Sequence, residues 1–508
     1  MALRIHAFGD GDPLARIAGG DRGAAHAAYV RAYLADLGAA SILEETDYFD
    51  RDYLAEFGAF YAKGVRPLPN TCRRLHFFAG PPLTDERFDA ALGADEAAVA
   101  ELRAAYLGFA VIRPIPHAPW GRTVLRWYGE HTPRLPRVTA PSRTYACHVA
   151  GLRLTVEGLA WQSQDRGVSA CATVALWSMF HSSAFDEHHA IPTTVEVTRA
   201  AGDFLKTRVF PSTGLTKWHL LQAVKTLGLS PVVLTGDGAP IADGENAFSV
   251  ARFTSSCAAF VRSGYPVLVG GVMRGAGMDD ARHAVTAVGF RECEAPRPTP
   301  GEWRLQDAGI RTVYLHDDNI GPSVRFAVAQ DQFGHAVLSR EAPSTRPLGA
   351  EPSSPHFIPT LLLAAVHDDL HLHPDALHEQ AIAIAQGIIS ATGWRVGLSV
   401  SSRFIAARAY QSTELSRMLG ASPALLARVR RSLATDVARK SLHLGVARIG
   451  HQGRPALDVL YDTTVPDGEL VPLCHLAFVP EAEAIAAKLA VSGALPLGVA
   501  VAAYRGRA

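Results

Sequence analysis

The chain has 508 residues, 48% of them hydrophobic and 19% charged, with Lys plus Arg equal to Asp plus Glu at 49 each. That length exceeds what one hydrophobic core holds, and the apolar share is too high for extended disorder, so two to four folded domains are expected. Zero net charge with no basic run excludes a surface organised around nucleic acid or anionic lipid.

In chain order, residues 22 to 63 repeat apolar positions at three and four ("AAYVRAYLADLGA", "YLAEFGAFYAKG"), which predicts helices. "DEAAVAELRAAYLG" predicts a further helix ending at Gly108, before a short strand, "FAVIRPIP", closed by prolines. "RTVLRWY" and "TYACHVAGLRLTVEGLAW" add strands, giving a mixed α/β domain over residues 1–145. Residues 146–340 form a second domain. It runs through the helix of "QSQDRGVSACATVALWSMF", the amphipathic helix of "TGLTKWHLLQAVKTLGLSP", and a helix, Gly-Tyr-Pro turn and apolar strand in "FSVARFTSSCAAFVRSGYPVLVGGVM". "ARHAVTAVGF" and "RTVYLHDDNIG" follow as strands, separated by the Pro-rich "RECEAPRPTPGEWRLQDAGI", an expected exposed excursion. Residues 341–356, rich in Pro, Ser and charge, read as a linker. Residues 357–508 read as a C-terminal α/β domain with helices in "HEQAIAIAQGIISATG" and "SPALLARVRRSLATDVARKSL" and two strands joined around Gly450 to Pro455. No repeat of fixed period is present.

Six cysteines, Cys72, Cys147, Cys171, Cys257, Cys293 and Cys474, are scattered without a C-x-x-C pair, which argues against a zinc knuckle or a thioredoxin-like redox site. The first twenty residues lack a long apolar segment, and the uncharged run Leu489 to Tyr504 is broken by Gly and Pro and short for a membrane span. The expectation is a soluble, cytoplasmic protein without membrane contact.

Cys171 sits where a polar approach becomes an apolar helix, with Ser169 placed to cap it and Val174, Ala175 and Met179 turned inward. Unpaired amides at a helix start favour thiolate over thiol, so this placement suits a nucleophile; a small buried space-filler is the plain alternative. A thiolate needs a base, and the base an orienting acceptor. His283 is the one ionisable group within the apolar strand "HAVTAVGF", and the next strand ends in Asp317, Asp318 and Asn319. Strand alternation would place the two aspartates on opposite faces, so one alone should meet His283, with Asp317 preferred.

Other clusters carry less. His367, Asp369, His371 and His373 would share one face of a strand and could ligate zinc or nickel; an exposed His-rich turn accounts for them without metal. "FDEHH" reads as a solvated loop, and "GGVMRGAG" lacks the ending of a phosphate loop. Trp218 and His219 could line a cleft but read first as core and boundary residues of their helix, and Arg282 could bind a substrate carboxylate but reads first as a solvent-facing strand edge. No metal or cofactor is expected.

From about residue 155 to 330 the chain resembles papain-like cysteine peptidases, nearest the bacterial branch that includes the double-glycine leader peptidases of bacteriocin exporters. The matching text is "QDRGVSACATVAL", "GLTKWHLLQAVKTLGL", "FVRSGYPVLVGGV", "HAVTAVGF" and "DDNIG". The resemblance implies a nucleophile helix packed on an antiparallel sheet, in a chain that is α/β to α+β overall. It implies that Cys171 attacks a carbonyl and that His283 moves the proton. Asp317 (by one alignment) or Asp318 (by another) would orient the imidazole, and Gln164, with Gln162 as fallback, would serve the oxyanion. The implied activity is thiol-dependent cleavage of an amide bond in a peptide or protein, through a thioester. An acyltransferase or transglutaminase-like enzyme with the same groups is one alternative, and an inactive scaffold binding proteins is another. The flanking domains carry no motif with a chemistry and are candidates for protein partners.

Overall fold

The computed structural model describes residues 2–482 except 18–19, 66, 130–136, 166, 169, 186–188, 203–213, 242–243, 276–278, 293–297, 342–354, 393–396, 417–422, 437–442 and 480–481. Ser169, Cys293, most of the expected linker and the run from Leu489 to Tyr504 therefore lie outside the described residues. No described helix is long and apolar enough to cross a membrane. The chain is mixed helix and sheet, and it divides into two compact units that cut across the sequence boundaries. One holds residues 1–248, 264–291 and 312–365; the other holds 249–263, 292–311 and 366–508.

The first unit begins with a five-stranded antiparallel sheet in sequence order: β1 (Leu3–Ala7), β2 (Ala39–Tyr48), β3 (Cys72–Ala79), β4 (Tyr106–Ile112) and β5 (Trp120–Leu125). Its connections include the helices α1 (Gly20–Asp36), α2 (Arg51–Ala59), α3 (Asp85–Leu92) and α4 (Glu96–Ala105). β2 and β3 bring charged residues inside, and they match across the strands. Arg73 pairs with Glu44 at 3.0 Å, while the fully buried Glu45 meets Arg74 and, at 2.9 Å, His76. Burying such groups is tolerable because each is paired and hydrogen-bonded. The helix expected to end at Gly108 instead stops at Ala105, and Gly108 lies inside β4. The backbone of β5 passes so close there that a Cβ would sit 2.1 Å from the Val124 carbonyl oxygen, so glycine serves an approach between strands rather than a helix end.

After β6 (Arg137–Val138) and the hairpin of β7 (Arg143–Val149) and β8 (Leu152–Gly158) come α5 (Cys171–Phe180), α6 (Thr194–Gly202), α7 (Lys217–Thr226) and β9 (Ser230–Thr235). Then α8 (Val250–Arg262) precedes β10 (Val267–Arg274) and β11 (Ala281–Arg291). β12 (Trp303–Leu305) separates these from β13 (Thr312–Asp317), β14 (Gly321–Gln330), β15 (Ala336–Arg340) and β16 (His356–Val366). Strands β10, β11, β13, β14, β15 and β16 pair antiparallel in that order, and β16 pairs with β10 as well, closing a ring of six. Closure leaves no open edge among them.

In the second unit, α9 (Pro374–Thr392), β17 (Leu398–Ala406), α10 (Pro423–Asp436), β18 (His443–His451), β19 (Arg454–Asp462) and β20 (Val471–Ala477) build a sheet of order β12-β17-β18-β19-β20. The stretch before β13 is exposed only in part: residues 299–302 and Arg304 face solvent, but its β12 runs parallel to β17, and Asp307 and Glu292 hold Arg262 of α8 at 2.8 and 2.7 Å. Residues 367–373 leave β16 and turn, so the four expected ligands share no strand face. His367 stacks on His443, buried, with ring centroids 4.6 Å apart.

Candidate active site

α5 is apolar all round and buried from Ala172 to Phe180; its first residue, Cys171, is half-buried. A helix without a polar face must be enclosed, and this one lies on β10 and β11. Thr286 Oγ1 of β11 donates to the Ala175 carbonyl at 2.9 Å, and Ser178 Oγ donates to Ala160 O at 2.8 Å. Ala170 stands at the N-cap and gives no side-chain hydrogen bond to the first-turn amides beside the Cys171 sulfur. The cap falls one residue later than the expected Ser169.

β11 carries His283, and its neighbour β13 ends at Asp317. His283 Nε2 lies 3.2 Å from Asp317 Oδ1, and the Cys171 side chain is within hydrogen-bonding reach of the same imidazole. With Nε2 engaged by the carboxylate, Nδ1 is the nitrogen left for sulfur. Burial alone would lower the basicity of His283. The charge and hydrogen bond of Asp317, the hydrogen bond with Cys171 and the charge of Asp318 outweigh burial and lift the imidazole well above its usual range. Burial opposes ionisation of Asp317, yet His283, the Asn319 amide at 2.9 Å and His26 hold its carboxyl below the usual range. An ionised acceptor therefore faces a protonated ring.

The aspartates do not divide between opposite faces. β13 stops at Asp317, and residues 318–320 form a turn that brings Asp318 Oδ1 within 3.7 Å of His283 Nε2. Alternation fails because it applies only while the strand continues. Burial, with the charge of Asp317 adding to it, pushes the Asp318 carboxyl up to about 7, against the pull of His283 and Arg22. The native state holds a proton on Asp318 that the unfolded chain releases near 3.8, so this group lowers stability progressively from about pH 4 to about pH 7. Asp318→Asn should therefore raise the thermal midpoint relative to wild type by an amount that grows across that window and is constant above it. Melting curves at several pH values check this; a difference independent of pH would contradict it.

Gln164 is half-buried and directed at this turn. Its amide meets the Asn319 side chain at 2.8 Å; turned so that nitrogen faces Asp318, it donates to Oδ2 at 3.3 Å and accepts from Arg22 at 3.2 Å. Asn319 in turn lies 3.4 Å from His283 Nε2. Gln162 is buried elsewhere, donating to Glu56 Oε1 at 3.5 Å. The structure thus gathers Cys171, Asp317 and Asp318 around the His283 imidazole, brings Gln164 to the acidic turn rather than to the ring, and leaves Gln162 outside. The ligating atoms of His283, Asp317 and Asp318 lie within 4.8 Å of one another, as one cation would need; an imidazole donating to a carboxylate explains the same closeness without one.

Sequence reading missed the wall behind this turn. Trp161 Nε1 donates to the Asp317 carbonyl at 2.9 Å, and buried His26 of α1 stands edge-on to Trp161 at 5.5 Å, against the backbone of Asp318 and Asn319. Burial drives His26 down to about 4, so it is neutral near pH 7. Tyr29, one turn further along α1, donates to Pro322 O at 2.9 Å and lies so close to Gly321 that a Cβ would meet its ring at 2.2 Å. His316 accepts from the Ser323 amide at Nδ1 and so donates through Nε2 to Leu159 O at 3.0 Å, fixing both sides of the turn. The helical period of α1 was legible, but the partner of its apolar face was not.

Cys171 and His283 open onto a cavity of about 700 Å³ between α5, α6, the start of α7, β10, β11 and β16. Gly270 and Gly271 of β10 border it, and Leu268, Leu220 and Leu361 supply apolar surface. Arg282, placed in solvent by the sequence reading, is over half exposed but also borders the cavity, clamped by Glu245 at 2.5 Å, which accepts from Thr360 at 2.8 Å. His219 lines the cavity, whereas Trp218, expected at the core boundary, is 69% exposed beside it. No protein-family model and no curated protein matches the chain.

Proposed function

We propose that the protein is a papain-like, thiol-dependent hydrolase that cleaves amide bonds in a peptide or protein. The observation that carries this reading is the half-buried Cys171 facing His283, whose Nε2 is held by Asp317, at the mouth of a cavity large enough for several residues of substrate. In this mechanism sulfur attacks the substrate carbonyl carbon, and the electron pair of the C=O bond moves to oxygen. The tetrahedral species is met by the first-turn amides of α5. Its collapse breaks the C–N bond as the His283 imidazolium gives its proton to the leaving nitrogen, leaving a thioester on Cys171. Neutral His283 then takes a proton from water, the hydroxide adds to the thioester, and the acid leaves as sulfur regains its charge. Asp317 stays ionised and holds the ring. Gln164, tied to the acidic turn, steadies Asp318 and Asn319.

Peptides from a proteolysed bacterial lysate, incubated with the full chain and read by mass spectrometry, test the reaction. New termini are expected with wild type and not with Cys171→Ala. Identical spectra would overturn hydrolysis, and adducts on added amines with no new acids would favour acyl transfer.

A further inference from the structure

The nucleophile loop, residues 162–168, hangs from a buried charged cluster that no step above uses. Arg113, 3% exposed, sends Nη1 to Glu56 Oε2 at 2.8 Å and lies 3.8 Å from Asp165 Oδ2. Its Nη2 donates to the carbonyls of Ala118, Trp120 and Ser163 at 2.9, 3.1 and 3.1 Å. Asp165 Oδ1 accepts from the amides of Gly167 and Val168, both at 2.6 Å, and the Tyr61 hydroxyl also bonds Asp165. Glu56 Oε1 accepts from Thr194 Oγ1 at 2.8 Å, and Thr198 Oγ1 donates to Val168 O at 3.0 Å. The Phe60 ring lies so close to Gly167 that a Cβ would approach it to 2.7 Å. One guanidinium thus joins α2, the β4–β5 connection and both ends of the loop, three residues before Cys171.

We propose that Arg113 is a positioning residue for Cys171: with Glu56 and Asp165 it fixes the 162–168 loop and so sets where the sulfur stands relative to His283. This rests on the reading of Cys171 as nucleophile. A guanidinium suits the task because it donates in several fixed directions at once; an ammonium keeps the charge but cannot reach Glu56 and three carbonyls together. Small misplacement of a nucleophile is enough to lose about 100-fold in rate.

The test uses the full chain, iodoacetamide alkylation of Cys171 mapped by mass spectrometry from pH 5.5 to 9, and melting curves. Arg113→Lys should fold, react about 10-fold more slowly at pH 7, and show a changed pH profile; Glu56→Gln should fall less. A purely structural cluster would move the midpoint and leave rate and profile as in wild type, which would overturn the proposal. If Arg113→Lys does not fold, Asp165→Asn, which keeps the acceptor for both amides, decides by the same readouts. Wild-type alkylation that ignores His283→Ala would sink the nucleophile reading itself; intact His283 dependence with unaltered cluster variants sinks only the positioning role.

Discussion

Replacing His283 with alanine should remove at least about 99% of the Cys171-dependent peptide cleavage while leaving the protein folded. On the proposed mechanism His283 acts three times: it holds the thiolate as an ion pair, protonates the leaving nitrogen and activates water. General acid–base catalysis alone is commonly worth 10²- to 10⁴-fold, and loss of the ion pair adds to it. The substitution leaves Asp317 buried without its imidazole, but the Asn319 amide still donates to it and its carboxyl can take a proton. Asp317→Asn should lose about 10-fold or more, because an amide cannot support the ring's charge. Asp318→Asn should lose little, since Asp318 holds its proton up to about pH 7. Activity in His283→Ala within a few-fold of wild type would contradict the assignment.

A chain beginning at residue 146 should neither fold as wild type nor cleave peptides, although it would hold Cys171, His283 and both aspartates. Residues 1–125 supply Glu56, Arg113, Phe60 and Tyr61 around the nucleophile loop and His26 and Tyr29 behind the acidic turn. Without them Trp161, fully buried here, loses its contacts with Trp120 and His26, and Asp165 loses its cation. Removing one partner of a buried ion pair costs about 3–5 kcal/mol, and domain stabilities run to only about 5–15 kcal/mol. Circular dichroism and the peptide assay read the outcome. A cooperatively folded, active fragment would show that the N-terminal residues are dispensable.

What the sequence disclosed depends on how locally each feature is encoded. α5, β10, β11 and β13 are continuous apolar segments with clear ends, and the residues at those ends are the ones that meet. β2 and β3 were hidden because "SILEETDY" and "CRRLHFFA" place Glu45, Arg74 and His76 where a strand face should be apolar; only their pairing makes the pattern readable. The turn after Asp317 defeated an alternation argument by ending the strand one residue early. The joining of residues 1–125 to the cysteine loop, the closure of six strands into a ring and the capture of β12 by the C-terminal sheet all depend on contacts distant in sequence, which periodicity does not encode.

Alkylation of Cys171 at pH 7, compared between the wild-type chain and His283→Ala, tests the pairing of sulfur with imidazole most directly. The other described cysteines, Cys72, Cys147, Cys257 and Cys474, are buried, so the modified site can be assigned by peptide mapping. The pairing predicts that the wild-type rate exceeds that of His283→Ala by about tenfold or more. Equal rates in the two proteins, each that of an ordinary thiol, would contradict it.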